Sequence, residues 1–128
     1  MVAAHKILLV DDEAIAVLSL RLELKRAGFP DCQIESSGAK AVQCALQGSF
    51  DAIIMDVHLA GKMTGLEAVR QIREAGLETP VIFLSGYADP EHMAEAVLLR
   101  SSAYLVKPVS LPELVSILNQ IFEMPEKH

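Results

Sequence analysis

Five polar side chains, each directly after an apolar run, carry the groups from which a metal-assisted phosphoryl-transfer site can be built. They are the carboxylates of Asp11, Asp12 and Asp56, the hydroxyl of Ser85 and the ammonium of Lys107. Carboxylates that lie close together repel one another, so each resists ionising beside the others. A bound cation removes that cost, and a group of oxygen ligands suits Mg²⁺, which also accepts a phosphate oxygen. If these groups converge, we expect a magnesium site beside a phosphoryl acceptor.

The chemistry of each group indicates a role, although each residue taken singly also has an ordinary structural explanation. A carboxylate can attack phosphorus to give an aspartyl phosphate. Lys107 and the metal would offset charge on the transferring group, and Ser85 would donate a hydrogen bond to it. Alone, Asp12 is typical of a helix N-terminus, Asp56 of a loop and Lys107 of a solvated surface. Their shared position after successive apolar runs favours one common site.

The elements that would position these side chains alternate between short apolar runs and stretches with helical periodicity. The apolar runs indicate buried strands at residues 6–10, 51–55, 80–84 and 103–106, and the less apolar residues 33–36 are a weak strand candidate. Helical spacing is found at residues 14–27, 39–47, 66–75, 90–100 and 111–122. Glycines follow the first three helices, Asp89 or Pro90 opens the fourth, and Ser110 could cap the fifth.

A strand–helix unit repeated five times, (βα)5, predicts an α/β fold. Such a chain forms a doubly wound parallel sheet covered by helices on both faces, with right-handed crossovers. Ligands of these sheets bind outside the carboxyl ends of the strands. The five polar side chains would therefore lie at the same edge of the sheet.

The length and composition narrow the class of protein. The 128 residues suffice for one domain, with a core at about residues 6–122 and a short loop or tail at residues 125–128. A net charge of −6 argues against nucleic acid or an anionic membrane as a direct partner. The two cysteines and four histidines show no zinc-binding spacing. Neither a signal peptide nor an apolar run near the ~20 residues of a membrane span is visible, so we expect a cytoplasmic protein.

Four blocks of the sequence resemble the signature motifs of response-regulator receiver domains, which act in two-component signalling. The blocks are ILLVDDE at residues 7–13, IIMD at residues 53–56, LSG at residues 84–86 and YLVKP at residues 104–108. Each block alone is a weak signal, whereas the four together at this spacing are specific. The resemblance covers about residues 6–122 and implies a flavodoxin-like, five-stranded sheet with strand order 2-1-3-4-5.

The resemblance also implies roles for residues of the site. Asp56 would be the phosphoacceptor, in a Mg²⁺-dependent transfer from a partner's phosphohistidine. Asp12 and Asp56 would bind Mg²⁺ directly, Asp11 usually through water, and the backbone carbonyl of His58 would complete the protein ligands. The Lys107–Pro108 peptide bond is expected to be cis in this family.

A second group of residues would transmit the signal and set the lifetime of the aspartyl phosphate. Ser85 and Tyr104 resemble the switch pair, in which the hydroxyl moves toward the phosphate and the aromatic ring turns inward. The fourth helix, fifth strand and fifth helix, at residues 91–122, would then bind a partner differently. The residues at His58 and Tyr87 flank the attacking water in this family. Both are bulky here, which predicts slow self-dephosphorylation; a phosphoprotein half-life of a few seconds would contradict this.

The chain departs from the commonest family pattern at several positions. The loop at residues 57–65 is one residue longer and lacks the usual proline, Gly86 replaces a frequent alanine, and Val109 replaces a frequent phenylalanine. Arg100 stands where a helix-ending glycine is common, so the turn into the last strand could be built differently.

The partners that the resemblance implies are a histidine kinase or a histidine phosphotransfer protein, and a downstream effector or an output domain outside these residues. The chain would be a signalling domain and not a turnover enzyme. A phosphohydrolase of the haloacid-dehalogenase type is disfavoured, because it needs an Asp-x-Asp motif after the first strand, and the aspartates here are adjacent. A pseudo-receiver, which acts as an interaction module without phosphorylation, remains the alternative, although no acidic residue or lysine of the site is missing.

Overall fold

A computed structural model of the chain describes residues 5–123 and has the predicted architecture. The strands are β1 (Ile7–Val10), β2 (Cys32–Glu35), β3 (Ala52–Asp56), β4 (Val81–Ser85) and β5 (Ala103–Val106). The helices are α1 (Ala14–Arg26), α2 (Gly38–Gln47), α3 (Gly65–Glu74), α4 (Pro90–Leu98) and α5 (Leu111–Glu123). All strand pairs are parallel, in the order β2-β1-β3-β4-β5. The predicted fold and strand order are confirmed.

The prediction of one domain for residues 1–128 reaches beyond the described residues at both ends. Residues 1–4 and the predicted tail at residues 125–128 lie outside them. Within the part of the chain that the structure describes, no helix combines the length and hydropathy needed to cross a membrane.

The sheet separates two apolar clusters, one on each face. Alternate residues of a strand point to opposite faces, so Leu8 and Ile53 belong to one cluster while Ile7 and Ile54 belong to the other. The first cluster is covered mainly by α2 and α3, and the second mainly by α1 and α5. β1, β3 and β4 are buried along their whole length, as expected for the centre of a doubly wound sheet.

Polar side chains cap the starts of the last three helices. Thr64 forms a reciprocal capping box with Glu67 at the start of α3, and Asp89 caps α4 with Pro90 at its first position. The Ser110 hydroxyl accepts the backbone N–H of Glu113, which confirms the predicted cap of α5. α4 ends at Leu98, two residues before the predicted end.

Arg100 itself adopts the left-handed conformation that a glycine usually provides after a helix. Its φ angle is 61°, and its guanidinium donates two hydrogen bonds to the Glu78 carboxylate, at 2.7 and 2.8 Å. The turn before β5 therefore keeps a left-handed residue although no glycine is present, at some cost in backbone strain.

A buried arginine, Arg73, ties the end of α3 to the end of α4. Its Nε donates to the carbonyl of Leu99 at 2.9 Å, and its Nη1 donates to the carbonyls of Leu77 and Thr79 at 3.0 and 2.8 Å. These carbonyls lie in two different loops. Arg73 therefore fixes the far end of α4 relative to α3.

We expect Arg73→Met to lower the free energy of unfolding by about 2–4 kcal/mol, because one buried and two partly buried carbonyls lose their donor. Urea denaturation would measure the loss. Arg70→Met is the matched control: Arg70 is an exposed residue of α3 paired with Glu95, and such pairs are worth less than about 1 kcal/mol. Equal losses in the two variants would contradict the role assigned to Arg73.

Candidate functional site at the carboxyl edge of the sheet

The parallel register brings the ends of three neighbouring strands together. Asp56, the last residue of β3, pairs with Leu84, and Ser85, the last residue of β4, pairs with Val106. The chain continues the ladder for one more residue, because the backbone N–H of Lys107 donates to the carbonyl of Ser85 at 2.7 Å. The side chains after β3, β4 and β5 therefore start from adjacent backbone positions.

Three carboxylates meet at this edge. Asp11, Asp12 and Asp56 each offer an oxygen within 4.8 Å of the others. Asp11 and Asp56 are buried and Asp12 is exposed. Backbone N–H groups orient the two aspartates that follow β1, since Asp11 accepts from Glu13 and Asp12 from Ala60, both at 2.9 Å. An all-oxygen donor set of this size fits Mg²⁺.

Lys107 lies over two of these carboxylates. Its Nζ is 2.8 Å from Oδ2 of Asp56 and 3.6 Å from Oδ2 of Asp11. Burial alone would lower the pKa of Lys107, but the hydrogen bond and charge of Asp56, with the charge of Asp11, hold it above the usual value. Lys107 is therefore a fixed positive charge beside Asp56.

Asp56 carries an energetically costly charge. Burial raises the pKa of Asp56 above its usual value, and the opposing hydrogen bonds from Lys107 and from the backbone N–H of His58 do not cancel that effect. The folded chain thus holds a proton on Asp56 more readily than the unfolded chain does. Ionisation of Asp56 costs folding free energy, and the full cost is present once the pH exceeds its pKa in the folded protein.

Two hydroxyl groups converge on one carbonyl beside the carboxylates. Ser85 Oγ donates to the carbonyl of Tyr87 at 2.9 Å, and Tyr104 Oη donates to the same oxygen at 3.4 Å. Ser85 is fully buried, while Tyr104 is partly buried against Phe83. The structure thus connects the two residues of the predicted switch pair through Tyr87, with the Ser85 hydroxyl bonded to its own loop and not to Asp56.

His58 and Tyr87, the pair predicted to flank the attacking water, lie together. The backbone N–H of His58 donates to Oδ1 of Asp56 at 3.0 Å, and its ring stacks on that of Tyr87 with centroids 5.2 Å apart. The carbonyl of His58 as a metal ligand stays a prediction. The Lys107–Pro108 bond is cis, as expected.

Gly65 makes a close contact with Asp56 that was not predicted from the sequence. A Cβ atom on this first residue of α3 would lie 2.0 Å from the carbonyl oxygen of Asp56 and 2.8 Å from Cγ of Met55. The backbone N–H of Gly65 also donates to the carbonyl of Val57 at 2.9 Å. The sequence does contain a signal for this contact: Gly65 directly follows the helix-capping Thr64, at a position where the backbone conformation does not require a glycine.

Comparisons with known proteins agree with this geometry. The family model described as "Response regulator receiver domain" matches residues 7–119. The response regulator ArlR of Staphylococcus saprophyticus is 31% identical, over 96% of this chain and 55% of its own length. The transcriptional regulatory protein ResD of Bacillus subtilis is 34% identical, over 86% of this chain and 45% of its own.

Solved structures give the same result. The chemotaxis protein CheY4 of Vibrio cholerae superposes with a TM-score of 0.83 at 30% identity, covering 93% of this chain and 99% of that chain. The receiver domain of the Francisella response regulator 1452 has a TM-score of 0.85 at 25% identity, over 93% and 97% of the two chains. The chain spans about half the length of the curated relatives ArlR and ResD.

Proposed function

The chain belongs to the response regulator receiver family, which acts in two-component signalling, and we propose that Asp56 accepts a phosphoryl group from a partner's phosphohistidine. The observation that carries this proposal is the buried Asp56 carboxylate, within 4.8 Å of ligand oxygens of Asp11 and Asp12 and hydrogen-bonded to Lys107. A structural aspartate would not need two further acids beside it, since they raise the cost of its charge.

The transfer step is a nucleophilic substitution at phosphorus. A carboxylate oxygen of Asp56 forms the new P–O bond, the P–N bond to the donor imidazole breaks, and the imidazole leaves and takes up a proton. Lys107 offsets negative charge on the phosphoryl oxygens from its place 2.8 Å from Asp56. Ser85 turns from the Tyr87 carbonyl to donate to a phosphoryl oxygen.

Asp11, Asp12 and Asp56 would hold Mg²⁺, because their donors are all oxygens close enough to share one ion. When bound, the ion neutralises the carboxylates and part of the charge on the phosphoryl group. Asp12 and Asp56 are proposed as direct ligands, with the carbonyl of His58, and Asp11 as a ligand through water.

The Ser85 reorientation supplies a route from the phosphate to the surface of the chain. Once Ser85 leaves the carbonyl of Tyr87, that carbonyl keeps only the weaker bond from Tyr104 at 3.4 Å. We propose that Tyr104 then packs inward and that the surface formed by α4, β5 and α5 changes. That surface would bind an effector protein or an output domain.

The remaining assignments follow from the family. The phosphoryl donor would be a histidine kinase or a histidine phosphotransfer protein, and residues 1–128 would form one receiver domain. The domain would transmit a signal and would not turn over a substrate. If the test below gives no phosphoryl adduct, the chain is a pseudo-receiver. Cytoplasmic residence stays a prediction from the sequence.

The test is incubation of the chain with Mg²⁺ and a small acyl phosphate, followed by intact mass measurement. We expect a single phosphoryl adduct, which EDTA added beforehand prevents because the metal ligands are then vacant. Adduct formation that is unaffected by EDTA would contradict the proposed Mg²⁺ site. No adduct under either condition would leave the pseudo-receiver, and release of free phosphate from generic esters would revive the phosphohydrolase.

A further inference from the structure

Three rings form a row at the rim of the site, which we call the ring row: Tyr87, His58 and His92. The His58 ring lies 5.2 Å from that of Tyr87, nearly parallel at 28°, and 5.3 Å from that of His92, tilted by 59°. Both separations are within the range in which aromatic rings attract one another. His92 was not among the residues that the sequence singled out, because it reads as an ordinary position on α4.

Two residues of the ring row form hydrogen bonds with residues of the proposed phosphorylation site. The backbone N–H of His58 is bonded to Asp56, and the carbonyl of Tyr87 accepts from Ser85. Both side chains are exposed. An exposed ring keeps a defined position only if neighbouring groups hold it, since its rotamer is otherwise free to change.

Among the three rings, that of His92 is carried by a backbone position that the cap of α4 holds in place. It is the third residue of α4, and its backbone N–H and that of Glu91 face the capping carboxylate of Asp89, at 3.5 and 2.9 Å. Its Nδ1 lies 3.6 Å from the other Asp89 oxygen, which is too long for a direct hydrogen bond. The cap therefore fixes the backbone of the first turn of α4. The ring of His92 is not bonded to Asp89 and packs against His58.

We propose that His92 is a positioning residue that holds the ring of His58, two residues after Asp56, and so restricts the access of water to the aspartyl phosphate. The proposal rests on the proposed function, because it concerns the lifetime of the phosphoryl group on Asp56. It also connects that lifetime to the first turn of α4. A movement of this turn would withdraw support from the ring that shields the phosphate.

The test compares decay rates after a common loading step. The chain is loaded with Mg²⁺ and an acyl phosphate, the donor is removed by desalting, and the loss of the adduct is followed by intact mass. His92→Ala should decay about 2- to 10-fold faster, the factor that corresponds to one aromatic contact. His92→Phe, which keeps a ring but no nitrogen, should decay at close to the wild-type rate.

Met93→Ala is the matched control, since Met93 is the next residue of α4 and is exposed. It should leave the decay unchanged, and melting temperatures of all variants would show that they are folded. Equal decay of wild type and His92→Ala would overturn the proposal, as would decay of His92→Phe as fast as that of His92→Ala. Failure of the wild type to form any adduct would instead overturn the proposed function, so the two failures are distinguishable.

Discussion

Asp56→Asn is expected to abolish the phosphoryl adduct, because an amide lacks the nucleophilic carboxylate that must form the P–O bond. Asp11 and Asp12 would not replace it. The first is bonded to the backbone of Glu13 and the second is exposed and bonded to that of Ala60. Intact mass measurement after incubation with Mg²⁺ and an acyl phosphate would show the loss, and peptide mapping of the wild type would place the adduct.

Asp31→Asn is the control for the change in charge, because this exposed aspartate precedes β2 at the opposite edge of the sheet. It should form the adduct like the wild type. Asp56→Asn should also remain folded, since burial raises the pKa of Asp56 and its charge costs folding free energy. An adduct on folded Asp56→Asn, or a wild-type adduct mapped to another residue, would contradict the assignment.

The second large effect is expected from Gly65→Ala, which should lower the free energy of unfolding by about 2–4 kcal/mol. The added Cβ would lie 2.0 Å from the backbone oxygen of Asp56. Backbone cannot rotate away as a side chain can, so α3 and the end of β3 must move apart. Thermal or urea unfolding would measure the loss.

Gly86→Ala is the matched control for Gly65→Ala. Gly86 also lies at the carboxyl edge of the sheet, but a Cβ there would meet nothing within 4 Å. We expect its effect on stability to stay below about 1 kcal/mol. A similar loss in the two variants would show that the close approach of α3 to Asp56 does not limit stability.

Much of the fold and of the site's composition could be predicted because both follow from periodicity. Fully apolar runs give buried parallel strands, and the carboxyl ends of such strands share one edge, which places Asp11, Asp56 and Lys107 together. The predicted ends of the helices and strands were less accurate. The end of α4 was predicted at about Arg100 and lies at Leu98, since Arg100 takes a left-handed conformation that its residue type does not indicate.

The finer contacts of the candidate site could not be predicted, because residue type and periodicity do not determine them. The sequence does not show that the Ser85 hydroxyl bonds to Tyr87, that Gly65 touches Asp56 or that His92 reaches His58. Each depends on a rotamer or on how closely a helix approaches a strand. The resemblance named His58 and Tyr87 but not the third ring that packs beside them.

The weak apolar packing of α4 lowers the free energy that a rearrangement of this helix would require. Of residues 90–98, all described, only Ala96 is buried, whereas α3 buries six residues, Leu66, Val69 and Ile72 among them. Segments with few buried contacts open locally at a small fraction of the global unfolding free energy. If the proposed switch surface binds a partner, a modest preference of that partner for one arrangement of α4 would then be enough to shift the population of α4.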